Sequence, residues 1–458
     1  MLRSLTRLKA NGYPFTSVSM ARVPSPIRAL QPYVNQPGMI SLGGGMPNAS
    51  TFPISSIELK LKTGAGSSSL VLNEDETRVA LQYSSSRGIP SLVSHLKALQ
   101  QDVHKVTFTD GSRDIIVTTG SQDGLAKAFE MLLEPFHDTL LIENPTYSGS
   151  LAFLTPLGVN LKGVETDAEG MIPSKLRDVL DNWEDENGGR KKPRVVYTIP
   201  TGSNPTGGSL TFERKSEIYD ICVEHDILIL EDDPYYYLDF RTFDGECQGE
   251  EDAFLSRERA CSFLNIDEKG GGGRVIRFDS FSKLLSSGIR VGFATGPTEL
   301  IERIELHTQA TMLHASGLSQ AVVSKLFDDW GTCGFLTHVD DVAKFYMDRR
   351  DTFVACIEKH LEGLVEYRIP TAGMFVWMKL IGISDAQSLA MRGAAEKNVL
   401  VVPGSSFVPN EAYQGDERRL TTKSDGEFVR LSFSSATPDD MDSACRRLRE
   451  LLMERRDN

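Results

Sequence analysis

The feature that most restricts the fold of this chain is a repeated succession of a short apolar run, a polar loop and a helical stretch. The runs occupy residues 114–119, 139–143, 194–199 and 227–230. Strands that alternate with helices in this way predict an α/β protein with a mainly parallel sheet covered on both faces. In such sheets the functional side chains lie in the loops at one edge. Candidate site residues are therefore expected in the loops that follow these runs.

One lysine, Lys283, lies in a segment that suits a phosphate-bearing aldehyde cofactor. The segment, residues 279–292, begins Asp-Ser-Phe-Ser-Lys and ends Gly-Ile-Arg-Val-Gly. An amine can form a Schiff base with the aldehyde, while Ser280, Ser282 and Arg290 can hold the phosphate. A surface lysine in a Ser/Gly-rich turn is the alternative, and it is disfavoured because the rest of the chain supplies further partners. The segment therefore predicts a pyridoxal phosphate lysine.

A Gly-Ser-Gln turn after the first strand offers more phosphate donors. Ser121 and Gln122 follow Gly120 directly, just before a helix predicted over 125–133. The first turn of a helix has free N–H groups and the positive end of the helix dipole, both of which favour an anion. A glycine loop between strand and helix is common in α/β proteins, so this prediction depends on the presence of Lys283.

Loops after the later strands contain groups that a pyridine ring needs. Asp232, at the end of a buried run, can keep the ring nitrogen protonated so that the ring accepts electrons. Tyr235 and Asn204 can bond the ring 3-oxygen, and Tyr147 can stack on the ring. Each of these alone is as easily a turn residue or a core tyrosine. Their occurrence in this order, with Lys283 last, favours a cofactor site.

Length and charge limit the architecture and the partners. A chain of 458 residues exceeds a single core. The predicted parts are an N-terminal arm with the first part of a small domain (1–55), a large cofactor-binding domain (56–342) and a C-terminal α+β domain (343–458).

The net charge of −14 disfavours nonspecific nucleic-acid binding, and no apolar run approaches the length of a membrane span. The six cysteines show no metal-ligand spacing, so we expect small-molecule partners and no metal.

Three other segments carry predictions. Residues 1–57 contain basic residues and no acidic one, and Leu2, Leu5 and Leu8 alternate with arginines. This is typical of a mitochondrial presequence and equally compatible with a structural N-terminal arm, so the predicted compartment is cytoplasmic or mitochondrial. The polar or glycine-rich segments 182–193 and 243–273 are predicted to be surface insertions. After residue 297 the pattern predicts helices and strands as follows: helices over 298–326, 339–360 and 386–398, strands over 375–379, 399–402 and 428–434, and a last helix to 456.

Together these motifs resemble those of the kynurenine/2-aminoadipate aminotransferases and their fungal aromatic aminotransferase relatives, from Pro24 to the last helix. The resemblance implies a fold-type I pyridoxal phosphate enzyme, with a large, mainly parallel sheet domain and a smaller α+β domain. The stretches that carry it are Pro-Ser-Pro-Ile-Arg at 24–28, Gln-Tyr-Ser at 82–84, Gly-Ser-Gln at 120–122, Asn-Pro-Thr-Gly at 204–207, Glu-Asp-Asp-Pro-Tyr-Tyr at 231–236, Asp-Ser-Phe-Ser-Lys at 279–283 and Arg-Leu-Ser-Phe-Ser at 430–434.

The resemblance also implies roles for residues. Lys283 carries the cofactor and moves protons, Gly44 contacts the substrate, and Arg430 clamps its α-carboxylate. The family is a homodimer, in which Tyr83 reaches the neighbouring active site. The implied reaction is ping-pong transamination from 2-aminoadipate, kynurenine or an aromatic amino acid to a 2-oxo acid such as 2-oxoglutarate. Arg28 is the candidate for binding a second, distal substrate carboxylate, because a guanidinium can bind it with two hydrogen bonds.

Three alternatives were weighed against this function. A pyridoxal phosphate C–S lyase would share every cofactor residue, and its products, pyruvate and ammonia, would distinguish it. A regulator built on an aminotransferase-like domain would need a preceding helix-turn-helix, and Lys283 is intact. A dinucleotide-binding enzyme would need Gly-x-Gly-x-x-Gly between a strand and a helix, which the sequence lacks.

Overall fold

A computed structural model describes most of the chain, and it divides into two compact units. The first contains the described residues up to 134 and from 263 to 338, and the second contains those from 135 to 262 and from 339 to 456. The predicted domain boundaries at 55 and 342 stay a prediction. The described residues are 12–26, 33, 36–40, 42–43, 45–62, 68–183, 190–243, 259–409 and 426–456.

Helices and strands alternate through both units. The α-helices of the described residues are α1 (Ser17–Ala21), α2 (Glu74–Leu81), α3 (Pro90–His104), α4 (Ser121–Leu132), α5 (Ser148–Leu157), α6 (Pro173–Asp181), α7 (Phe212–Glu224), α8 (Phe263–Gly270), α9 (Thr298–Thr311), α10 (Gly317–Leu361), α11 (Ala386–Glu396) and α12 (Pro438–Arg456). Their strands are β1 (Ile57–Lys60), β2 (Ser69–Leu72), β3 (Arg113–Thr118), β4 (Thr139–Asn144), β5 (Asn160–Asp167), β6 (Gly170–Met171), β7 (Val195–Thr198), β8 (Leu228–Asp232), β9 (Val275–Ser280), β10 (Gly292–Pro297), β11 (Val365–Tyr367), β12 (Phe375–Leu380), β13 (Val402–Pro403) and β14 (Phe428–Ser432).

The first unit is built on three strands. The central strand, β10, pairs antiparallel with both β3 and β9, so that Gly292 lies opposite Thr118 on one side and Ser280 on the other. The middle of β3 is apolar and fully buried, as expected for a strand covered on both faces. The carboxyl ends of β3 and β9 therefore reach the same edge. The turn before α4 and the Lys283 segment both start there.

The second unit contains the parallel strands. Strands β5, β4, β7 and β8 pair in parallel, with Ile142, Tyr197 and Leu230 in register across three of them. Strands β4, β7 and β8 are almost uninterrupted buried runs, which is why their sequence reads as apolar without alternation. A separate antiparallel sheet of β11, β12, β14 and β13 places Trp377 opposite Arg430. The strands predicted over 139–143, 194–199, 227–230, 375–379 and 428–434 are confirmed, and β8 continues two residues past the predicted run, to Asp232.

Three predictions about the later helices and strands are wrong. Residues 298–326 do not form one helix, because α9 ends at Thr311 and Leu313 adopts a left-handed φ of 67° before α10 begins. The helix predicted to start at 339 is instead the continuation of α10, which is interrupted only at Gly331 with φ 61°. The strand predicted over 399–402 is reduced to β13, which begins at Val402.

The two predicted surface insertions are also partly wrong. The second half of segment 243–273 forms α8, whose Phe263 and Leu264 are completely buried. In segment 182–193, the buried Trp183 donates its indole N–H to the Arg190 carbonyl at 2.9 Å. These apolar anchors lie within polar surroundings, where composition alone does not reveal them. Residues 184–189 and 244–258 lie outside the described residues.

Two findings bear on partners. In the ranges that the structure describes, no helix combines the length and the apolar character needed to cross a membrane. The same ranges contain no group of three or more His, Cys, Asp or Glu side chains that could hold a metal ion.

Candidate active site

In the first unit, hydrogen-bond donors gather where β3 turns into α4. Gly120 caps α4 with a φ of 79°, and no side-chain oxygen caps the first turn of this helix. A Cβ atom on Gly120 would lie 2.3 Å from Nη2 of Arg290. Gly292 allows a similar approach, since a Cβ there would lie 2.8 Å from the Ser121 nitrogen. Glycine is thus required for this close packing around Arg290.

The Arg290 guanidinium is held beside this turn by neutral groups. Nη1 donates to Oγ of Ser282 at 3.0 Å, and Nη2 donates to the Thr119 carbonyl at 3.2 Å. Arg290 is exposed and pairs with no carboxylate among the residues that the structure describes. Its charge therefore remains available to an anion at the start of α4.

Lys283 lies on the turn after β9, between two apolar anchors. Phe281 is buried, and its ring meets those of Phe293 and Phe335 at centroid distances of 5.9 and 5.8 Å. The backbone N–H of Leu284 donates to the Phe281 carbonyl at 3.2 Å, which closes the turn. Phe281 and Leu284 are both buried in the core. They fix the backbone position of the half-buried Lys283 at the strand edge.

Tyr83 is a predicted site residue with an exposed ring. Its side chain is 49% exposed, and its ring meets the His314 ring edge-on at 6.0 Å. The preceding Gln82 anchors the segment, because its side-chain amide donates to the Pro47 carbonyl at 2.8 Å. The backbone before Tyr83 is therefore anchored, while its ring is exposed.

In the second unit, Asp232 is the last residue of β8 and is almost completely buried. The Tyr197 hydroxyl donates to its Oδ2 at 2.8 Å, and the Ser150 hydroxyl donates to the Tyr197 oxygen at 3.0 Å. Burial and the charge of Asp232 raise the pKa of Tyr197 well above its ordinary value, so Tyr197 remains a neutral donor.

Arg430 occupies a partly buried aromatic niche on β14. Its Nη1 donates to the Asn204 side-chain oxygen at 2.9 Å, and its guanidinium carbon lies 4.4 Å from the Phe375 ring centre and 5.1 Å from that of Phe407. Burial lowers the pKa of Arg430, while Tyr235 opposes this change. Its Nε is buried and has no hydrogen-bond partner among the described residues. A planar cation with an unused donor is suited to a carboxylate.

Tyr235 lies beside Asn204 and Arg430. Burial and then the charge of Asp232 raise its pKa far above the ordinary value, and Arg430 and Asn204 act in the opposite direction. Its ring meets Phe375 edge-on at 5.8 Å. These groups bring a hydroxyl, an amide and a guanidinium together at one place in this unit.

Tyr147 and Asn204 depend on glycines for their positions. A Cβ atom on Gly149 would lie 2.3 Å from the Tyr147 ring, so only glycine leaves room for that ring at the start of α5. A Cβ on Gly202 would lie 2.7 Å from the nitrogen of Gly373. The loop that carries the buried Asn204 is thereby packed directly against neighbouring backbone.

A buried carboxyl group, Glu143, supports the start of that loop. The Thr198 hydroxyl donates to its Oε1 at 2.7 Å, and the Ile199 N–H donates to its Oε2 at 3.3 Å. Burial raises the pKa of Glu143 to about 7, an effect that these hydrogen bonds reduce and that the charge of Asp232 increases. Glu143 is therefore a titrating group inside the second unit.

The structure places nearly all predicted residues at strand ends or in the loops that follow them. Ser121, Gln122, Ser280, Ser282, Lys283 and Arg290 share one strand edge of the first unit, and Tyr147, Asn204, Asp232, Tyr235 and Arg430 belong to the second. Arg28 and Gly44 lie outside the described residues. Sequence reasoning missed Glu143, Ser150, Tyr197, Phe375 and Phe407. The only feature of the sequence that could have indicated their roles is that each is a polar or aromatic residue within an apolar run.

Comparison with known proteins assigns the class. Residues 58–448 match the family described as aminotransferase class I and II. The chain belongs to this family and is a transferase enzyme. It is 42% identical to the mitochondrial kynurenine/alpha-aminoadipate aminotransferase of Bos taurus, over 96% of this chain and 98% of that protein. It is 36% identical to an aromatic amino acid aminotransferase of Dictyostelium discoideum, over 88% of this chain and 82% of that protein.

Solved structures confirm the predicted fold class, fold-type I. The crystal structure of the aminotransferase Aro8 from Candida albicans has a TM-score of 0.83 and 28% identity, and covers 96% of this chain and 97% of that one. Pyrococcus horikoshii kynurenine aminotransferase, in complex with PMP, kynurenine and its product, has a TM-score of 0.69 and 27% identity. The match covers 96% of this chain and 97% of that one.

Proposed function

We propose that this aminotransferase transfers the amino group of an L-amino acid to a 2-oxo acid with pyridoxal 5'-phosphate as its cofactor. The observation that carries the proposal is Arg430, a partly buried guanidinium with an unused Nε and an Asn204 contact. An α-carboxylate is the group that all amino acids and 2-oxo acids share. A fixed guanidinium between aromatic rings binds it with direction as well as charge.

The first unit fits the phosphate of such a cofactor. Its donor set combines the start of α4 at Ser121 and Gln122, the hydroxyls of Ser280 and Ser282, and the guanidinium of Arg290, which pairs with no carboxylate in the part of the chain that the structure describes. Backbone amides, hydroxyls and a guanidinium are the groups that bind phosphate in proteins. Gly120 suits this set, because its φ of 79° disfavours other residues and a Cβ atom there would displace the Arg290 guanidinium.

The second unit fits the ring. Asp232 would accept a hydrogen bond from the protonated ring nitrogen, Tyr235 and Asn204 would bond the ring 3-oxygen, and Tyr147 would stack on the ring. When bound, the cofactor supplies an electron sink that makes the substrate Cα–H acidic. Asp232 maintains that sink by keeping a negative charge beside the ring nitrogen.

Lys283 has two roles in the proposal. Its amine would anchor the cofactor covalently at rest. When an incoming amino acid frees it, Nζ would take the proton from the substrate Cα and pass it to the cofactor carbon, and in the second half-reaction it would move a proton back to Cα of the new amino acid. Arg430 meanwhile holds the α-carboxylate, so that the Cα–H bond keeps its orientation.

An amino-donor screen against 2-oxoglutarate tests this function. We expect glutamate to form in amounts equal to the 2-oxo acid derived from the donor, with parallel lines in double-reciprocal plots, as ping-pong kinetics require. Pyruvate and ammonia from a sulfur-containing donor, without glutamate, would instead identify the C–S lyase.

We infer that the donors include 2-aminoadipate, kynurenine and aromatic amino acids, since the relatives named above act on such compounds. Arg28, on an arm with Pro24 and Pro26, is our candidate for the distal carboxylate of acidic substrates. Arg28→Ala should raise KM for 2-aminoadipate and 2-oxoglutarate about ten- to a hundredfold and spare phenylalanine. Equal losses for acidic and aromatic donors would show that Arg28 organises the arm.

We further propose a homodimer in which Tyr83 acts on the neighbouring active site, which accounts for its exposed ring. If Tyr83→Phe is itself impaired, mixing it with Lys283→Ala should restore a fraction of wild-type sites, because one hybrid site contains neither change. Absence of recovery in mixed dimers would mean that each subunit is self-contained.

A mitochondrial location is proposed because relatives at 42–44% identity are named mitochondrial and residues 1–57 lack acidic residues. Import of the full chain into isolated mitochondria, with protection from added protease, is the expected result. A full chain that stays accessible to protease would favour the cytoplasmic location.

A further inference from the structure

Asp232 is not held in place by its strand alone. It lies at the end of β8, and the neighbouring strand β7 sends the Tyr197 side chain forward to meet it. Tyr197 and Leu230 are in register, so their side chains share a face of the sheet, and Asp232 is two residues further along that face. Strand pairing thus places the tyrosine hydroxyl at the carboxylate.

The contact has a second member. The Ser150 hydroxyl, on α5, donates to the Tyr197 oxygen at 3.0 Å while Tyr197 donates to Asp232 at 2.8 Å. Ser150 and Tyr197 are completely buried, and Asp232 is 3% exposed. Donors in series polarise one another, and they act more strongly in a buried environment than in water. The serine therefore makes the tyrosine a better donor to the carboxylate.

The direction of the chain of hydrogen bonds is unambiguous. A carboxylate can only accept, so Tyr197 must donate to Asp232, and its remaining lone pair accepts from Ser150. The raised pKa of Tyr197 agrees with this, since the phenol keeps its proton at any physiological pH. A hydrogen bond to the charged form of an acid favours that form.

We propose that Tyr197, assisted by Ser150, is a positioning residue that orients Asp232 and stabilises its negative charge toward the ring nitrogen of the cofactor. This inference rests on the proposed function, and it assigns no contact with substrate to either residue. Without the phenol, the carboxylate loses its fixed direction and becomes the better base of the pair. The shared proton then moves from the ring nitrogen toward Asp232, and the electron sink weakens.

The test uses Tyr197→Phe, which removes one oxygen and keeps the ring, in full-length protein loaded with cofactor labelled with ¹⁵N in the ring. We expect the ring-nitrogen resonance to move from the protonated position toward that of neutral pyridine. The turnover number should fall about tenfold or more, with a much smaller change in KM. Ser150→Ala should change both quantities in the same direction by a smaller amount, because it removes only the polarising donor.

Two controls make the result decisive. Tyr13→Phe removes a tyrosine hydroxyl that donates to the Gly273 carbonyl at 2.7 Å in the first unit, and it should leave the resonance and the turnover number unchanged. Thermal unfolding of each cofactor-free variant reports any general loss of structure. If Tyr197→Phe does not fold, Ser150→Ala alone decides, since its resonance must still shift.

The outcomes separate this inference from the proposed function. A wild-type protein that binds no cofactor overturns the proposed function. Loss of turnover in Asp232→Asn, together with an unshifted resonance in Tyr197→Phe and Ser150→Ala, overturns the inference only. Equal falls in kcat/KM for the tyrosine variant and the Tyr13→Phe control would reduce Tyr197 to a structural residue.

Discussion

The two sets of candidate residues differ in how the protein holds them. In the first unit, Arg290 is exposed, Lys283 is half-buried, and the helix start at Gly120 contributes backbone groups. In the second unit, Asp232, Tyr235 and Asn204 are buried. Loops and backbone amides suit a ligand group with a permanent charge, such as a phosphate. Buried side chains suit a ring and a carboxylate whose protonation must be controlled.

This difference has an energetic consequence. Removing an exposed donor in the first unit gives up contacts with a ligand, whereas the apoprotein keeps its own packing. Removing one member of the buried network in the second unit leaves another polar group without its partner, which costs folding free energy as well as function. Variants in the first unit should therefore affect binding or chemistry without affecting stability, and variants in the second should affect both.

Lys283→Ala is expected to have the largest effect. Activity should fall by about a thousandfold or more, since the same amine anchors the cofactor and moves the proton. Intact mass after borohydride treatment should show the cofactor attached to wild-type protein and absent from the variant. The unfolding temperature of the apoprotein should be unchanged. Lys175→Ala, at a surface lysine paired with Glu165, is the control that should retain both activity and attachment.

A cofactor adduct on another lysine in the Lys283→Ala protein would falsify the assignment. A large loss of apoprotein stability would contradict the comparison instead, because it would show that this half-buried side chain also supports the fold.

Arg430→Lys should follow in size. Lysine keeps the charge but lacks the planar guanidinium, which contacts Asn204 through Nη1 and leaves Nε for a ligand. KM for amino and 2-oxo acids should therefore rise about ten- to a hundredfold. Apoprotein stability should also decrease, because the stacking on Phe375 is lost. Arg214→Lys, at a half-buried arginine paired with Asp167, is the matched control. Unchanged KM values would remove Arg430 from the proposed carboxylate site.

Glu143→Gln tests the buried network through pH. The pKa of Glu143 is about 7 in the folded protein and about 4.5 when it is exposed on unfolding. Between these values the folded state binds more protons than the unfolded state, so the free energy of unfolding must fall as pH rises from 4.5 to 7. Glutamine imitates the protonated acid. In Glu143→Gln the fall in the free energy of unfolding between pH 4.5 and 7 should therefore be smaller by roughly 1–3 kcal/mol.

Urea titrations at several pH values measure that slope. Asp220→Asn, an exposed change on α7 in the same unit, controls for the loss of one acidic side chain. Identical slopes for wild type and Glu143→Gln would mean that Glu143 does not titrate in this range.

The sequence predicted the strand ends well because two signals coincide there. At Asn144 and at Asp232 a buried apolar run stops and polar residues follow, and the parallel strands of the second unit bring such ends to one edge. The break between α9 and α10 had no such signal, since residues 312–316 contain neither glycine nor proline. Tertiary packing at Leu313, with its left-handed backbone, decides that break.

The contacts behind the site could not be predicted for a different reason. Tyr197 reads as one more apolar residue of a strand, and Glu143 as the last residue of the predicted strand over 139–143. Which hydroxyl reaches which carboxylate depends on the register between β4, β7 and β8, which no local pattern encodes. The motifs therefore identified the groups that act on ligands, while the residues that orient those groups required the structure.

Arg290→Lys is expected to have the smallest effect and gives the cleanest test of the comparison. Lysine keeps the positive charge but cannot donate to Ser282 and to the Thr119 carbonyl at the same time. The start of α4 and the serine hydroxyls remain, so cofactor affinity should weaken by only about three- to tenfold, as measured by fluorescence titration of the apoprotein. The unfolding temperature of the apoprotein should match that of Arg177→Lys, a change at a surface arginine paired with Glu224.

A marked loss of stability in Arg290→Lys would mean that the guanidinium stabilises the contact between the Gly120 turn and the Ser282 turn. The exposed donors of the first unit would then be structural in the same way as the buried ones of the second.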